Sequence, residues 1–252
     1  MATIGIMDSG VGGLSVFREI RKILPQEHYI YYSDNANCPY GEKSPEFITE
    51  RLRSITDFFL GKGVDAMVLA CNTATSAAIA TLRGEYAIPF VGMEPAIKPA
   101  ALDTRSGVVG VLATAGTLKG DKYLLAKDRL PEDVKVIEHI GKGFVELVEA
   151  GILDGPQAEK VVEASLKPLL DAGADRIVLG CTHYPFLLPT FEKVAARLGK
   201  PDVIFIDPAP AVARRLASVL QEKGIGTGSA SPETELISSG DPAALNRAFA
   251  LI

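Results

Sequence analysis

LGKGVDAMVLACNT at residues 60–73 returns, with changes, as LDAGADRIVLGCTH at residues 170–183. The two segments align without a gap, and their cysteines, Cys71 and Cys181, occupy the same position of the repeat. Each segment predicts the end of a helix, a tight turn, a buried apolar strand and then a thiol. Because ligands bind beyond the carboxyl ends of the strands in open parallel sheets, the repeat predicts two similar half-sites with one thiol each.

Short apolar runs alternate with longer amphipathic stretches along the chain. The runs predict strands at 3–7, 29–33, 66–70, 89–93, 107–112, 134–137, 176–180, 203–206 and 234–238. The amphipathic stretches predict helices, for example at 45–60, 156–172 and 208–223. This alternation is typical of βαβ units and parallel sheets. The first, third, fifth, seventh and eighth strands are almost continuously apolar, which predicts that both of their faces are covered.

The repeat also predicts how the chain divides into domains. GVVGVLATAGT (107–117) echoes TIGIMDSGVGG (3–13), so a second copy begins near the first of these stretches. We expect one domain at 1–97, completed by 207–252, and the other at 98–206. The predicted fold class is α/β, with two pseudo-symmetric domains, each a mostly parallel sheet flanked by helices, and an active site in the cleft between them.

The composition argues against several classes of partner. The net charge is −5 and Lys and Arg form no cluster, so nucleic acid is not an expected partner. No apolar run reaches the roughly 18 residues of a membrane span, and the amino terminus lacks the features of a signal peptide. Three widely spaced cysteines argue against a disulfide framework. These features favour a cytoplasmic protein that acts on a small molecule.

The two repeated thiols have polar neighbours. A free cysteine after a strand is often only a small buried hydrophobe, but a polar pair that opens a loop or helix follows each of these. The neighbours are Asn72 and Thr73 in the first copy, and Thr182 and His183 in the second. Where such a thiol stands at the amino end of a helix, its pKa is lowered because the amide groups and the helix dipole favour the thiolate.

Two such thiols suit a proton exchange that requires no cofactor. One thiolate removes a proton from one face of a small substrate, and the opposite thiol delivers a proton to the other face. The main alternative is a zinc site, whose ligands would be Cys38, Cys71, Cys181 and His183. The close Cys-x-x-Cys and His-x-x-x-His spacings are lacking, so we expect no metal.

Two loops carry further candidate binding groups. Asp8 and Ser9 follow the first strand, ahead of a glycine turn, where Asp8 either caps the turn or serves in catalysis or binding. SDNANCPYG (33–41) predicts a loop in which Tyr40 and Gly41 offer a hydroxyl and an amide to a carboxylate. An ordinary turn explains the same loop equally well.

These motifs resemble those of the glutamate racemases, within the aspartate/glutamate racemase superfamily. The matching stretches are DSGVGGLSV (8–16), CPYG (38–41), ACNTATS (70–76), GTL (116–118), LVEAG (147–151) and GCTHYP (180–185). The resemblance implies interconversion of L- and D-glutamate in a cleft between two α/β domains, without cofactor or metal. It also implies a cytoplasmic homodimer whose product, D-glutamate, feeds peptidoglycan synthesis.

The resemblance implies roles for individual residues as well. Cys71 and Cys181 would act on opposite faces of the substrate. Asp8 would assist the first thiol, and His183, with Glu149, the second. The residues implied to bind the substrate are Asp8, Ser9, Tyr40, Gly41, Asn72, Thr73, Thr117, Thr182 and His183.

Two stretches depart from the pattern of the family. Asp34-Asn35-Ala36 stands where many relatives have Asp-Thr-Ala. HIGKGFVELVE (139–149) lacks the Ala-Cys-Pro that many relatives carry ahead of the Val-Glu stretch. The second departure bears on Glu149, because glycines at 141 and 143 suggest a different local turn.

Two other functions agree with these residues. The first is racemisation of aspartate, or a related reaction at a carbon beside a carboxylate, since the motifs do not measure the length of the substrate. The second is binding of an amino acid without catalysis, which would leave the second thiol unexplained.

Overall fold

The structure is a computed structural model that describes residues 2–226 and 231–252. The chain forms two compact units, Met1–Met93 with Ala209–Ile252, and Glu94–Pro208. The sequence predicts domain boundaries after residues 97 and 206. In the structure the chain passes from one unit to the other after residues 93 and 208. Each unit contains one sheet, and all strands that pair in the described residues run parallel.

The helices and strands follow one another in the predicted alternation. The strands are β1 (Thr3–Asp8), β2 (His28–Ser33), β3 (Ala66–Leu69), β4 (Phe90–Gly92), β5 (Val108–Ala113), β6 (Lys135–Ile140), β7 (Arg176–Gly180), β8 (Ile204–Ile206) and β9 (Thr234–Ser238). The α-helices are α1 (Leu14–Ile23), α2 (Pro45–Gly61), α3 (Asn72–Glu85), α4 (Ile97–Asp103), α5 (Ala115–Leu118), α6 (Asp121–Asp128), α7 (Phe144–Glu149), α8 (Pro156–Asp171), α9 (Leu188–Arg197), α10 (Ala209–Glu222) and α11 (Pro242–Phe249). Short 3₁₀ helices lie at Asn35–Asn37, Tyr40–Glu42 and Tyr184–Leu187. The predicted strands and the predicted α/β fold class are confirmed.

The first unit has the strand order β4-β3-β1-β2-β9. β1 and β3 lie in the interior of the sheet and are buried almost throughout, as their continuous apolar sequences predict. Helix α1 packs against α10, and α2 packs against α3. None of the helices in the described part of the chain combines the length and the hydropathy that crossing a bilayer requires.

The second unit has the strand order β6-β5-β7-β8. The interior strands β5 and β7 are buried, and α8 packs against α9. The prediction that the eighth strand is covered on both faces is wrong. β8 lies at the edge of the sheet, and Ile204 is 46% exposed. Three apolar residues do not distinguish an interior strand from an edge strand, because that difference depends on whether another strand lies on each side in the sheet.

The two copies of the sequence repeat fold in the same way. Gly63 and Gly173 have φ values of +75° and +90°, which favour glycine because a side chain would be strained there. Their amides donate to the carbonyl oxygens of Leu60 and Leu170, both at 3.0 Å, and so end α2 and α8. The chain then enters β3 and β7, which pair with β1 and β5.

The pairing of the strands refines the alignment of the two copies. The paired positions are Ile4 with Ala66 in the first sheet and Val109 with Arg176 in the second. Ile4 therefore corresponds to Val109. Matching residues 3–13 with residues 107–117 by sequence sets Ile4 against Val108, one residue away from this structural correspondence. With this register Gly5 coincides with Gly110, a match that the sequence echo misses.

We expect Gly173→Ala and Gly63→Ala to destabilise the protein, because the left-handed conformation costs an alanine about 1–2 kcal/mol. Gly84→Ala is the matched control. Gly84 lies within α3, an added Cβ there meets no atom within 4 Å, and alanine favours a helix by roughly 0.5–1 kcal/mol. Urea unfolding followed by circular dichroism measures the free energies of unfolding. Equal stability of the three variants would contradict the conformation of the two turns.

Candidate active site

Cys71 lies at the amino end of α3, directly after β3, and is almost buried. Its Sγ accepts a hydrogen bond from the amide of Ala74 at 3.4 Å and donates to Ser9 Oγ across 3.7 Å. The Ala74 amide belongs to the positive end of the helix dipole, and once the thiol proton leaves, the Ser9 hydroxyl can donate to the sulfur. Both contacts favour the thiolate. Of the loop or helix that the sequence leaves open after this thiol, the structure has a helix.

Asp8 ends β1 and is fully buried. One of its carboxylate oxygens, Oδ2, accepts hydrogen bonds from the amides of Gly10 and Gly13, both at 3.0 Å. A Cβ at position 13 would lie 2.6 Å from Asp8 Cβ, so this turn needs glycine to approach the carboxylate. Of the two roles that the sequence leaves open for Asp8, capping of the turn is therefore present in the structure.

Asn72 and Thr73 form the first turn of α3, next to Cys71, and both are buried. Within the described residues, Asn72 Oδ1 has no hydrogen-bond partner. Buried acceptors in proteins are almost always satisfied. This oxygen therefore suits a hydrogen-bond donor that comes with a ligand, such as an ammonium group.

Tyr40 lies in the core of the first unit, together with Cys71. Its hydroxyl donates to Asp34 Oδ2 at 2.6 Å. Arg51, on α2, binds the same carboxylate through Nη2–Oδ1 at 2.6 Å and Nε–Oδ2 at 3.1 Å. The sequence predicts that the Tyr40 hydroxyl binds a carboxylate of a ligand, but the carboxylate that it binds here is Asp34. Gly41 follows in the 3₁₀ helix.

The charges of this cluster are set by its hydrogen bonds. Burial raises the pKa of Asp34, but the hydrogen bonds that its carboxylate accepts outweigh burial, so its pKa lies below the ordinary value. The side chains that lower this pKa, in order of decreasing effect, are Arg51, Tyr40, Ser239 and Asn37. Burial and the hydrogen bond to Asp34 raise the pKa of Tyr40 far above its ordinary value. Asp34 is therefore a stable anion and Tyr40 a stable neutral donor at physiological pH.

Cys181 follows β7 in the second unit and is almost buried. The sequence leaves a loop or a helix open after this thiol, and the structure has a turn there. Thr182 and His183 form a turn, a 3₁₀ helix covers Tyr184–Leu187, and α9 begins only at Leu188. The two copies of the repeat thus diverge after the thiol, because Pro185 and Pro189 replace the continuous helical sequence of α3.

His183 joins the second thiol to a carboxylate. Its Nδ1 lies 3.8 Å from Cys181 Sγ, and its Nε2 lies 2.6 Å from Glu149 Oε1. The imidazole is 2% exposed, so these contacts form away from bulk water. Since a partner on one ring nitrogen sets the protonation of the other, Glu149 orients His183 toward the thiol. This thiol, imidazole and carboxylate have the contacts of an activated nucleophile and its base.

Glu149 reaches His183 although the turn before α7 departs from the pattern of the family. Gly143, with φ of +84°, begins the helix. A Cβ at Gly141 would lie 2.5 Å from Tyr184 Oη and from a ring carbon of Phe144. The altered turn is therefore packed against the residues of this chain, and it delivers α7 to the second thiol.

The strand register shows that the carboxylates of the two half-sites come from different elements of the fold. Met7 pairs with Leu69 in the first sheet, and Leu112 pairs with Leu179 at the equivalent position of the second. Asp8 accordingly corresponds to Ala113, so β5 offers no acid where β1 does. The carboxylate of the second half-site comes from α7 instead.

The remaining candidate residues also lie in the second unit. Thr117 is buried in α5, and its Oγ1 lies 3.0 Å from Thr114 Oγ1. Thr182 is buried in the turn after Cys181. In each unit a buried thiol with its own polar partners thus follows an interior strand of a parallel sheet, an arrangement that suits the transfer of a proton.

Comparison with known proteins places the chain in a family. Residues 4–216 match the family model described as Asp/Glu/Hydantoin racemase. The chain is 48% identical over 252 residues to the glutamate racemase of Pseudomonas entomophila, with 100% of this chain and 94% of that protein covered. The structure of Escherichia coli glutamate racemase in complex with L-glutamate and the activator UDP-MurNAc-Ala is similar, with a TM-score of 0.88, 35% identity and coverage of 99% and 94%. Glutamate racemase from Francisella tularensis in complex with D-glutamate has a TM-score of 0.84, 29% identity and coverage of 99% and 92%.

The fold of the chain is that of the glutamate racemase structures. The chain belongs to the Asp/Glu/Hydantoin racemase family, and it is therefore a racemase, an enzyme of the isomerase class.

We expect Asp34→Asn to destabilise the protein in a way that depends on pH. Since the pKa of Asp34 is depressed in the folded state, the contribution of its carboxylate is present above the ordinary pKa of about 3.9 and is lost as the pH falls through the folded value. At pH 7 the variant should lose about 1–3 kcal/mol, because charged hydrogen bonds are removed. Urea unfolding at pH 7 and at lower pH, down to below about 3.9, measures the difference.

Glu85→Gln is the matched control. Glu85, at the end of α3, forms an exposed ion pair with Arg53, which lies on α2 as Arg51 does. An exposed pair of this kind contributes at most about 1 kcal/mol. A loss of stability in Asp34→Asn that stays constant as the pH falls would contradict the charged state of Asp34.

Proposed function

We propose that the protein is a glutamate racemase, which interconverts L- and D-glutamate by proton exchange at Cα. The observation that carries this proposal is one buried thiol after an interior strand of each sheet, with partners suited to proton transfer. Those partners are Ser9 and the Ala74 amide for Cys71, and the His183–Glu149 pair for Cys181. The relatives named glutamate racemase, and the related structures with L- and D-glutamate, support the same substrate.

In this mechanism the two thiols exchange roles during one turnover. A thiolate at Cys71 removes the Cα proton from one face of glutamate, and the thiol of Cys181 gives its own proton to the other face. The turnover leaves Cys71 protonated and Cys181 as the thiolate, which is the form required for the opposite enantiomer. Protons and charges balance, so the reaction needs neither a cofactor nor a metal.

The half-sites supply the thiolates in different ways. An ordinary thiol with a pKa near 8.5 is only about 3% ionised at pH 7, which corresponds to a cost on the order of 2 kcal/mol. The amino end of a helix contributes about 0.3–2 kcal/mol of this at Cys71. At Cys181 the imidazole of His183 accepts or returns the proton, and Glu149 stabilises the imidazolium.

Polar groups next to the thiols complete the site that we propose. Asn72 Oδ1, the unsatisfied acceptor, would bind the ammonium group of glutamate. Donors fixed before the reaction stabilise the negative charge that develops when Cα loses its proton. The proposed donors to the carboxylates are Ser9, Gly41, Thr73, Thr117 and Thr182. We further propose a cytoplasmic homodimer whose D-glutamate is used for peptidoglycan.

We expect the protein in deuterated water to convert L-glutamate into D-glutamate that carries solvent deuterium at Cα, and the reverse. Cys71→Ala and Cys181→Ala should each abolish racemisation, because each removes one of the two proton carriers. Chiral chromatography with mass spectrometry measures both products. Ser54→Ala, a change of similar size on the exposed face of α2, serves as the control and should retain activity. Full activity in either of the first two variants would overturn the two-thiol mechanism.

A substrate panel distinguishes the alternatives. Racemisation of aspartate in preference to glutamate would make the protein an aspartate racemase. Binding of glutamate without exchange of its Cα proton would make it a binding protein.

We expect Glu149→Gln to lower kcat/KM by roughly ten- to a hundredfold, a part of the 10²–10⁴ that positioned acid–base groups contribute. The loss should be equal in both directions, because the enantiomers have equal free energy. The primary deuterium isotope effect at Cα should rise for the enantiomer that Cys181 deprotonates and fall for the other.

Glu146→Gln is the matched control, since Glu146 lies on the exposed side of the same helix α7. Stopped assays of both directions with Cα-deuterated substrates measure the rates and isotope effects. Equal losses in the two variants would show that Glu149 has no special role.

A further inference from the structure

Asn35 is bound by the turn that follows β9, close to the carboxyl end of the described chain. Its Oδ1 accepts hydrogen bonds from Ser238 Oγ and from the amide of Gly240, both at 2.8 Å. Its Nδ2 donates to the carbonyl oxygen of Asp241 at 2.9 Å. Both ends of the side-chain amide are therefore used, and all three partners lie more than 200 residues away along the chain.

The backbone strengthens this attachment. The amide of Ser239 donates to the carbonyl oxygen of Ser33 at 2.9 Å, and the amide of Ala36 donates to Ser239 Oγ at 3.1 Å. Ser239 also helps to lower the pKa of the Asp34 carboxyl group. We call these contacts between residues 33–36 and 238–241 the C-terminal clasp.

The clasp leads to the candidate active site through Asp34. Its carboxylate binds the hydroxyl of Tyr40, and its backbone amide donates to the carbonyl oxygen of Asp8 at 2.9 Å. Tyr40 packs in the core cluster that contains Cys71, and Gly41 follows it. A shift of Asn35 would therefore be passed to Asp34 and from there to Tyr40 and Gly41.

We propose that Asn35 is a positioning residue, which acts through the C-terminal clasp and Asp34 to hold Tyr40 and Gly41 in the geometry that binds glutamate. This inference rests on the proposed function. It extends that function to a segment beyond residue 216, where the match to the family model ends. It also gives Asn35, a departure from the common Asp-Thr-Ala pattern, a definite task in this chain.

The clasp should act on substrate binding rather than on the chemical step. A loop without its attachments samples more conformations, and the substrate then has to order it on binding, which weakens affinity. Neither thiol is among the clasp contacts. Loss of the clasp is therefore expected to raise KM and to leave kcat nearly unchanged. This pattern arises when an interaction that binds the ground state and the transition state equally is lost.

The experiment compares Asn35→Ala with Ser238→Ala, which removes one of the three partners of the Asn35 side chain. Asn246→Ala is the matched control, because Asn246 is an exposed asparagine on α11, the helix that follows the clasp. KM and kcat for both enantiomers and the thermal midpoint are measured on the full-length chain. We expect KM to rise roughly tenfold for Asn35→Ala, equivalent to about 1.4 kcal/mol, and to rise less for Ser238→Ala. The control should match the wild type.

The outcomes separate a positioning role from a structural one. A lower thermal midpoint with an unchanged KM would show that Asn35 only stabilises the fold, and a fall in kcat at constant KM would also overturn the proposal. If Asn35→Ala does not fold, the KM of Ser238→Ala decides in the same way. A wild-type protein that does not racemise glutamate would defeat the proposed function itself, whereas an active wild type with an unaffected Asn35→Ala variant would defeat only the role of the clasp.

Discussion

Parallel pairing of neighbouring strands is the constraint on which both half-sites depend. Because β1 and β3 run in the same direction, their carboxyl ends reach the same edge of the sheet, and both Asp8 and Cys71 lie at that edge. β5 and β7 place Cys181 in the corresponding position of the second sheet. The strands are buried, so the side chains that follow them start from a rigid base, and only the turns beyond them remain to be specified.

The same scaffold supports two different ways of handling a proton. After β3 the chain enters a long helix, and the first free amides of that helix meet the sulfur of Cys71. After β7, prolines at 185 and 189 interrupt the helical sequence, and the thiol of Cys181 meets an imidazole instead. The divergence is chemical as well as geometric, since an imidazole can carry the proton whereas a backbone amide can only stabilise the charge.

Much of the fold could be predicted because its signals are local. Continuous apolar runs marked the strands, and glycines at the helix ends marked turns whose φ values exclude ordinary side chains. The errors arose where the deciding information is not local. The edge position of β8 depends on which strand lies beside it, and the single-residue shift between the copies appears only in the pairing of the strands. The role of Arg51 is not readable from the sequence, because an arginine on an amphipathic helix can face either water or a buried carboxylate such as Asp34.

The amino-acid sequence by itself determined the α/β architecture, the repeat and the two thiols, because periodicity, turn residues and a cysteine after a strand are properties of neighbouring residues. The partners of the thiols were decided only by the tertiary structure. Ser9 is 62 residues from Cys71 and Glu149 is 34 residues from His183, while Asn35 meets Gly240 across 205 residues. Hydrogen bonds form between groups within about 3 Å of one another in space, and at such separations only the packing of helices and strands decides which groups those are.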